Sequence, residues 1–540
     1  MEPKAMPHVS IEQFISFGPE SEFEPLALPR PLQANGRIIL EPESIRECAK
    51  LAFSRIAYKM PRSQLAAFSA VLESPESSVN EKFVAASLLE NARIAAKGTY
   101  PICQDTGTAL VYGWRGDQVD IVHNEEIEDL LAGGAAEAYA QESLRNSQLG
   151  PISMIEERNT RDNLPAGIQI RSVRGDSLAL VFVAKGGGST SRTSLTMESP
   201  AILRQDRLEE TLRKRIQSLG PSGCPPYTIA MVLGGTSPSE TLYAAELAAL
   251  GLLDNLPQSA GDDGTPLRDR FWEEKMLEIA KESGIGAQWG GVHLAAATRA
   301  IRLSRHAANL PLAVAVSCAA NRHIAVIAGP KGWAIQKLAH YAKDSYPSFE
   351  TLTKDVLDAA PHIELSKNSQ DWLAQLRSFD AGTIVTLSGP VIVARDAAHA
   401  RLLKILEKEK HLPDWFLGLP VFYAGPTEAK PGHATGAFGP TTASRMDSYL
   451  EPFMNAGGSV VTIAKGSRGA EAKKAIIAHQ GVYCAAIGGA AALNAAHHIR
   501  SLSIIQFEDL GMEAVRAATL ETLPVIIAID ARGNDIYSKE

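Results

Sequence analysis

Three cysteines stand in loops that core thiols seldom occupy. Cys103 lies in Ile102-Cys-Gln-Asp-Thr-Gly107, Cys224 in Gly223-Cys-Pro-Pro-Tyr227 and Cys318 in Ser317-Cys-Ala-Ala-Asn321. Adjacent Gly or Pro in a loop exposes backbone and sulfur together. Three thiolates can hold an iron–sulfur cluster and leave one iron without a protein ligand, and an open metal position acts as a Lewis acid on a hydroxyl. The alternative is three buried cysteines acting as small hydrophobes. Separations of 121 and 94 residues form no local motif, so spacing alone leaves both readings open. Cys48, on an amphipathic segment, and Cys484, in Val482-Tyr-Cys-Ala-Ala-Ile487, read as core.

Other groups could work beside such a centre. Asp105, two positions after Cys103, is either a general acid–base or a turn aspartate bonding its own backbone. Lys185-Gly-Gly-Gly188 either presents N–H groups to an anion or makes a flexible turn. Arg395, Arg445 and Lys465 each follow a strand or a Gly-rich turn, and with Arg145 they could clamp a dicarboxylate through the arginine fork. Taken singly, each also suits a surface ion pair. His306, beside Arg302 and Arg305, is a donor to a substrate oxygen or a structural histidine.

These residues need elements to hold them. Residues 41–59, 81–97 and 396–409 carry helical periodicity. Apolar runs at 109–112, 178–184, 227–233 and 312–317 read as strands emptying into Gly-rich or Cys-bearing loops, where α/β folds keep ligands. Further strands are expected at 382–387 and 391–394, paired around Ser388-Gly-Pro390, and at 421–424, 459–464, 481–487 and 524–529. The polar stretch around 345–380 reads as a linker or domain edge, and the Pro-rich, acidic residues 1–40 as a surface wrap.

The 540 residues, 45% hydrophobic and 21% charged, suit two or three globular domains and exclude a long disordered or fibrous chain. A net charge of −8 gives no basic excess, so nucleic acid is not the expected ligand. No apolar window is long enough for a membrane span, and the acidic N-terminus suits neither a signal nor a transit peptide. A cytoplasmic protein is expected. Five scattered cysteines do not make a disulfide scaffold. Phosphate-loop, dinucleotide-loop, nucleophile-elbow, His-Glu-x-x-His and Cys-x-x-Cys motifs are all absent.

Read together and in order, several segments resemble the class I, iron–sulfur-dependent fumarate hydratases. They are Pro101-Ile-Cys-Gln-Asp-Thr-Gly-Thr108, Ala184-Lys-Gly-Gly-Gly-Ser189, Cys224-Pro-Pro-Tyr227, Ile285-Gly-Ala-Gln288, Val393-Ala-Arg-Asp-Ala-Ala-His-Ala400, Gly436-Ala-Phe-Gly-Pro-Thr-Thr-Ala-Ser-Arg-Met-Asp447 and Asn534-Asp-Ile-Tyr-Ser-Lys539. The resemblance spans residues 40–540. It implies one [4Fe–4S] cluster per chain on Cys103, Cys224 and Cys318, with the fourth iron open to a substrate hydroxyl and carboxylate. It implies substrate contacts from Gln104, Arg145, Gly188, Arg395, Arg445 and Lys465. Asp105 would be the acid at the leaving hydroxyl, Thr441 the base at the neighbouring carbon and His306 a substrate donor.

The implied fold is α/β and the implied assembly a homodimer. An N-terminal α/β cluster-binding domain (41–350) follows an extension (1–40). A linker (351–380) leads to a C-terminal swivelling-type β/α domain (381–540), with the active site between the two. The implied reaction is the reversible hydration of fumarate to (S)-malate. Thr190-Ser-Arg192, Val292-His-Leu294 and Leu303-Ser-Arg305 depart from the usual Ala-Asn-Lys, Lys-Tyr-Phe and Leu-Pro-Arg. Those departures keep open another diacid, such as tartrate or mesaconate/citramalate, whose dehydratases share the scaffold. A non-catalytic carboxylate sensor is the third reading, and the intact Asp105, Thr441 and Arg445 argue against it.

Overall fold

The computed structural model describes residues 10–259, 264–339, 348–369 and 371–538. It is an α/β protein. Its first half stacks two sheets. The strand Leu178–Lys185 shows why: its side chains are apolar on both faces and nearly all buried. Alternation sends Leu180 and Phe182 one way, against the helices Pro42–Tyr58 and Ile127–Gln141. Val181 and Val183 point the other way, toward the helix Pro238–Ala249 and the second sheet.

The first sheet orders its strands Phe23–Pro25, Gly332–Gln336, His323–Gly329, Leu178–Lys185, Thr108–Gly116 and Gly167–Val173. The second runs Ser194–Glu198, Leu310–Ser317, Tyr227–Gly235, Ala295–Arg305 and Leu267–Arg268. Its outer face packs on the amphipathic helices Gln205–Leu219 and Arg270–Glu282.

The second half holds a seven-stranded sheet. Ile384–Val393, Val421–Phe422, Val461–Ala464 and Val482–Ala485 run parallel in that order. The long strand Val515–Ile529 pairs antiparallel with both Val482–Ala485 and Ile384–Val393. Five strands therefore close into a ring, which removes their free edges.

Two expectations about this half change. The strands expected at 382–387 and 391–394 are one strand, Ile384–Val393, with a register shift between Leu387 and Gly389. Gly389 allows it: its φ is +107°, and a Cβ there would stand 2.4 Å from Leu365 O. The stretch expected as a linker carries the helices Phe349–Ala359 and Asp371–Ser378. Between them His362–Glu364 pairs in parallel with Ile384–Val393. Polar composition hid these because one short strand and two amphipathic helices need few apolar residues. Residues 345–347 and 370 of that stretch, residues 1–9 of the N-terminal extension and Lys539 of the segment Asn534–Lys539 lie outside the described residues. The rest of the extension supplies the edge strand Phe23–Pro25 and buries Ile11.

One apolar core runs through both halves. It joins Phe83, Leu88, Cys103 and Ala319 to Ala394, Ala443, Ala485 and Leu493. Buried amides pin the halves together. Asn91 donates to Ile102 O at 2.9 Å, while its Oδ1 accepts from Ala492 N and Leu493 N at 2.8 and 3.0 Å. Those two N–H groups belong to the first turn of the helix Ala491–His497, where helix donors lack internal partners.

Candidate functional site

The first half contributes loops. Cys103 and Asp105 precede the strand Thr108–Gly116, and Lys185 ends the strand that pairs with it. Cys224 precedes Tyr227–Gly235 and Cys318 follows Leu310–Ser317. These strands are antiparallel, so the two cysteines share one end of the sheet, and Ala319 N donates to Cys224 O at 2.9 Å. The second half contributes the carboxyl ends of its parallel strands, the usual ligand edge of α/β sheets. Arg395 follows Val393, Lys465 follows Ala464, and Gly488 lies just beyond Ala485. Thr441 is fixed by its N–H to Tyr423 O at 2.7 Å and its carbonyl to Lys465 N at 3.0 Å.

The two sets meet. Lys465 Nζ lies 2.7 Å from Cys224 Sγ. Gln104 Nε2 donates to Pro440 O at 3.0 Å, and Arg145 Nη1 to Gly425 O at 3.2 Å. Gln288 clamps both sides, donating to Pro225 O and Gly488 O at 3.0 and 2.9 Å and accepting from Gly488 N at 2.7 Å. Gly188 completes the wall, its absent Cβ lying 3.5 Å from Lys465 Nζ and 3.6 Å from Gly223 Cα.

Asp105 Oδ1 pairs with Arg145 Nη2 at 3.1 Å and accepts from Gly107 N at 3.2 Å, and Oδ2 accepts from Gly187 N at 2.9 Å. Burial pushes its carboxyl up, but Arg145, Arg322, the Gly187 N–H and Lys465 outweigh burial and hold it at about 2. Asp105 is thus ionised. Thr441 Oγ1 accepts from Arg445 Nη1 at 3.2 Å, and Arg445 is also forked onto Asp396. Arg395 is buried against Glu513 and Asp396. Burial disfavours its charge, and those two carboxylates more than restore it.

The cysteine sulfurs share one field. Burial raises the Cys103 thiol, opposed by Arg322 and Lys465 and reinforced by Asp105 and Cys318. Burial also lifts Cys224 to about 11, against the pull of Lys465, with Cys318 and Cys103 adding to the rise. Buried thiols in a common field become thiolates when a cation supplies the missing charge. The residues fit a cluster in a further respect. A Cβ on Gly488 would stand 2.3 Å from Cys224 Sγ, so this glycine leaves the sulfur its place. Among the described residues no three His, Cys, Asp or Glu side chains close on a single ion. Cys48 and Cys484 are fully buried in apolar cores away from these loops.

His306 does not join the group. It is exposed in the turn between Ala295–Arg305 and Leu310–Ser317, where its Nδ1 accepts from Ala308 N at 3.2 Å. The whole strand Leu310–Ser317 separates it from Cys318, about 25 Å at 3.3 Å per residue. Of its flanking arginines, Arg305 caps the turn, donating to the carbonyls of His306, Ala307 and Asn309.

Sequence reasoning missed Gln288 and Asn91 as clamps and Arg322 beside Asp105. The sequence signal for Arg322 was an arginine four residues after a loop cysteine, at the end of an apolar run.

The sequence is similar to those of known proteins. The family model "Fumarate hydratase (Fumerase)" matches residues 46–327, and "Fumarase C-terminus" matches residues 332–540. "Fumarate hydratase 2" of Leishmania major is 40% identical over 504 residues, 93% of this chain and 87% of that protein. "Fumarate hydratase class I, anaerobic" of Escherichia coli (strain K12) is 38% identical over 507 residues, 94% and 92% of the two chains. A "Putative L(+)-tartrate dehydratase subunit beta" of Methanocaldococcus jannaschii is 32% identical over 168 residues, 30% of this chain and 86% of that one. The chain therefore belongs to the family of class I, single-chain fumarate hydratases, and is a hydro-lyase.

Proposed function

We propose that the protein hydrates fumarate reversibly to (S)-malate, with a [4Fe–4S] cluster on Cys103, Cys224 and Cys318. The observation that supports it is that Cys103, Cys224 and Cys318 act on one another's charge, with Asp105 and Lys465 in the same field, while Thr441 accepts a hydrogen bond from Arg445. When bound, the cluster supplies an open Lewis-acid iron for the hydroxyl that leaves or arrives.

The chain's own groups do the rest. Ionised Asp105 is in the state that accepts a proton from water during hydration. A bound dicarboxylate competes with it for Arg145, which raises its pKa and lets it serve as the acid in the reverse direction. Arg445, 3.2 Å from Thr441 Oγ1, favours the alkoxide that a threonine base needs. Arg145, Arg395, Arg445 and Lys465 offset the charge that spreads into the substrate carboxylate as the C–H proton leaves. Arg395 Nη1 makes no hydrogen bond among the described residues, which leaves it for substrate. Gln104 and Gly188 border the same space and orient the diacid. His306 can reach a site of this kind only from another copy of the chain.

Residues 41–350 act as the cluster-binding unit, to which the extension adds the edge strand Phe23–Pro25, and 381–540 as the substrate-binding unit, to whose sheet His362–Glu364 of the joining stretch 351–380 adds a strand. We place the protein in the cytoplasm, where a reducing environment suits five cysteines none of which is in a disulfide, and take it to be a homodimer. Among the described residues no helix is long and apolar enough to cross a membrane.

A second reading, tartrate or a methyl-substituted malate as substrate, draws on the tartrate dehydratase match. It also draws on Arg192, whose Cγ would lie 3.1 Å from a Cβ on Gly223, next to Cys224. The test is kcat/KM of anaerobically reconstituted protein for malate, fumarate, tartrate and citramalate. A malate and fumarate preference above about tenfold is expected. Preference for another diacid transfers the function to it, and absence of turnover on all four refutes the proposal.

A further inference from the structure

Arg322 is 1% exposed and heads the fully buried side chains by size. Its guanidinium spans two of the cysteine loops. Nη2 donates to the main-chain carbonyl of Asp105 at 2.7 Å and Nε to Ala320 O at 3.2 Å. Its own carbonyl accepts from Ala184 N at 3.0 Å, tying it to the strand that ends in Lys185. Nη1 is sealed from solvent and has no hydrogen-bond partner among the described residues. It borders a cavity of about 20 Å³, shared with Gly186, Ser189 and Cys318, which has room for one water.

No carboxylate pairs with this cation among the described residues. Asp105, whose carboxylate feels its charge, gives its own oxygens to Arg145, Gly107 and Gly187. A buried charge without an ion-pair partner carries a desolvation penalty that an apolar side chain of similar volume avoids. Packing alone therefore does not account for an arginine here. Besides the charge that helps to keep Asp105 ionised, the guanidinium provides a rigid fork that grips two carbonyls at once, one in the Cys103–Asp105 loop and one in the Cys318 loop. The Asp105 carboxylate is oriented by Arg145, Gly107 and Gly187, but its main chain is located by Arg322.

Resting on the function proposed above, we infer that Arg322 is a positioning residue for Asp105. It locks the Asp105 main chain to the Cys318 loop, so that the carboxylate meets the carbon–oxygen bond being made or broken, and it does not retain the cluster. A misplacement of 1 Å at a reacting group costs about a hundredfold in rate, so the effect should fall on turnover rather than on binding.

The test compares wild type with Arg322→Lys, which keeps the charge but not the fork, and Arg322→Met, which keeps only volume. Each is reconstituted anaerobically and assayed for kcat and KM on the diacid that wild type prefers, iron and sulfide per chain, and Tm. Expected in both is a fall in kcat of about tenfold or more, with KM within about threefold. Iron and sulfide should stay at the wild-type level, with Tm held within a few degrees in at least one variant. Three results overturn the inference: kcat within about twofold of wild type in either variant, iron loss in step with kcat, or a parallel drop in Tm in both. If wild-type protein turns over no diacid, the functional proposal itself falls, and that outcome is seen before any variant is compared.

Discussion

Gly488→Ala tests the cluster seat without removing a ligand. Gly488 has no left-handed backbone angle, so alanine brings no conformational strain there. It brings only a methyl group, 2.3 Å from Cys224 Sγ and 2.8 Å from Lys465 Cδ. Comfortable non-bonded contact needs about 3.5–4.0 Å, so the sulfur must retreat by roughly 1.2–1.7 Å. A metal–thiolate bond tolerates a shift of only about 0.2 Å. Local repacking costs about 1–3 kcal/mol, which a core of this size withstands. The variant should therefore fold, with a far-ultraviolet circular dichroism spectrum like that of wild type. After anaerobic reconstitution it should bind little iron and sulfide and lack the broad visible absorption of a cluster. Cys224→Ser should behave the same way and serves as the reference. Full iron and sulfide content in Gly488→Ala, with normal turnover, would show that Cys224 Sγ does not sit where a ligand must.

Three further outcomes follow from the buried titratable groups. Asp105→Asn keeps the shape but cannot exchange a proton, so kcat should fall about a hundredfold to ten-thousandfold with iron content intact; unchanged kcat would remove Asp105 from the chemistry. His323 and His399 are both pushed down from 6.5 to about 4 by burial, offset at His399 in part by the Arg395 backbone and Asp396. Between those values the unfolded chain binds protons that the folded chain does not. The stability they contribute is therefore present above about pH 6.5 and is lost as pH falls toward 4, by a few kcal/mol in all. Both ring nitrogens of His399 are buried without partners among aromatic rings, so His399→Phe should raise stability by about 1–2 kcal/mol and flatten that acid dependence. Denaturant melts at pH 5 and 7 measure both effects, and an unaltered slope would contradict the reasoning.

The strand-and-loop skeleton was legible because its signals are local. Apolar runs such as Leu178–Ala184 and Leu312–Ser317 announce buried strands, and Gly or Cys after them marks where the chain leaves the sheet. Asp396–Glu409 was equally plain from its helical period. Ile384–Val393 was split in two because Ser388-Gly-Pro390 has the composition of a turn, and only packing against Leu365 reveals it as a bulge. The helices and strand within 349–378 escaped because their few apolar residues acquire a face only when a partner sheet is present.

Residue types, order and loop chemistry by themselves determined which side chains are available: three loop cysteines, an adjoining aspartate, a threonine beside an arginine, and cations after strand ends. Those properties are written residue by residue. Tertiary structure alone decided which of them meet. Chain separations of hundreds of residues vanish between Lys465 and Cys224, between Gln288 and Gly488, and between Arg322 and Asp105, while His306 is left at the far end of its strand. The reason is that convergence depends on sheet register and on two halves docking through one shared core, and no local run of sequence carries that information.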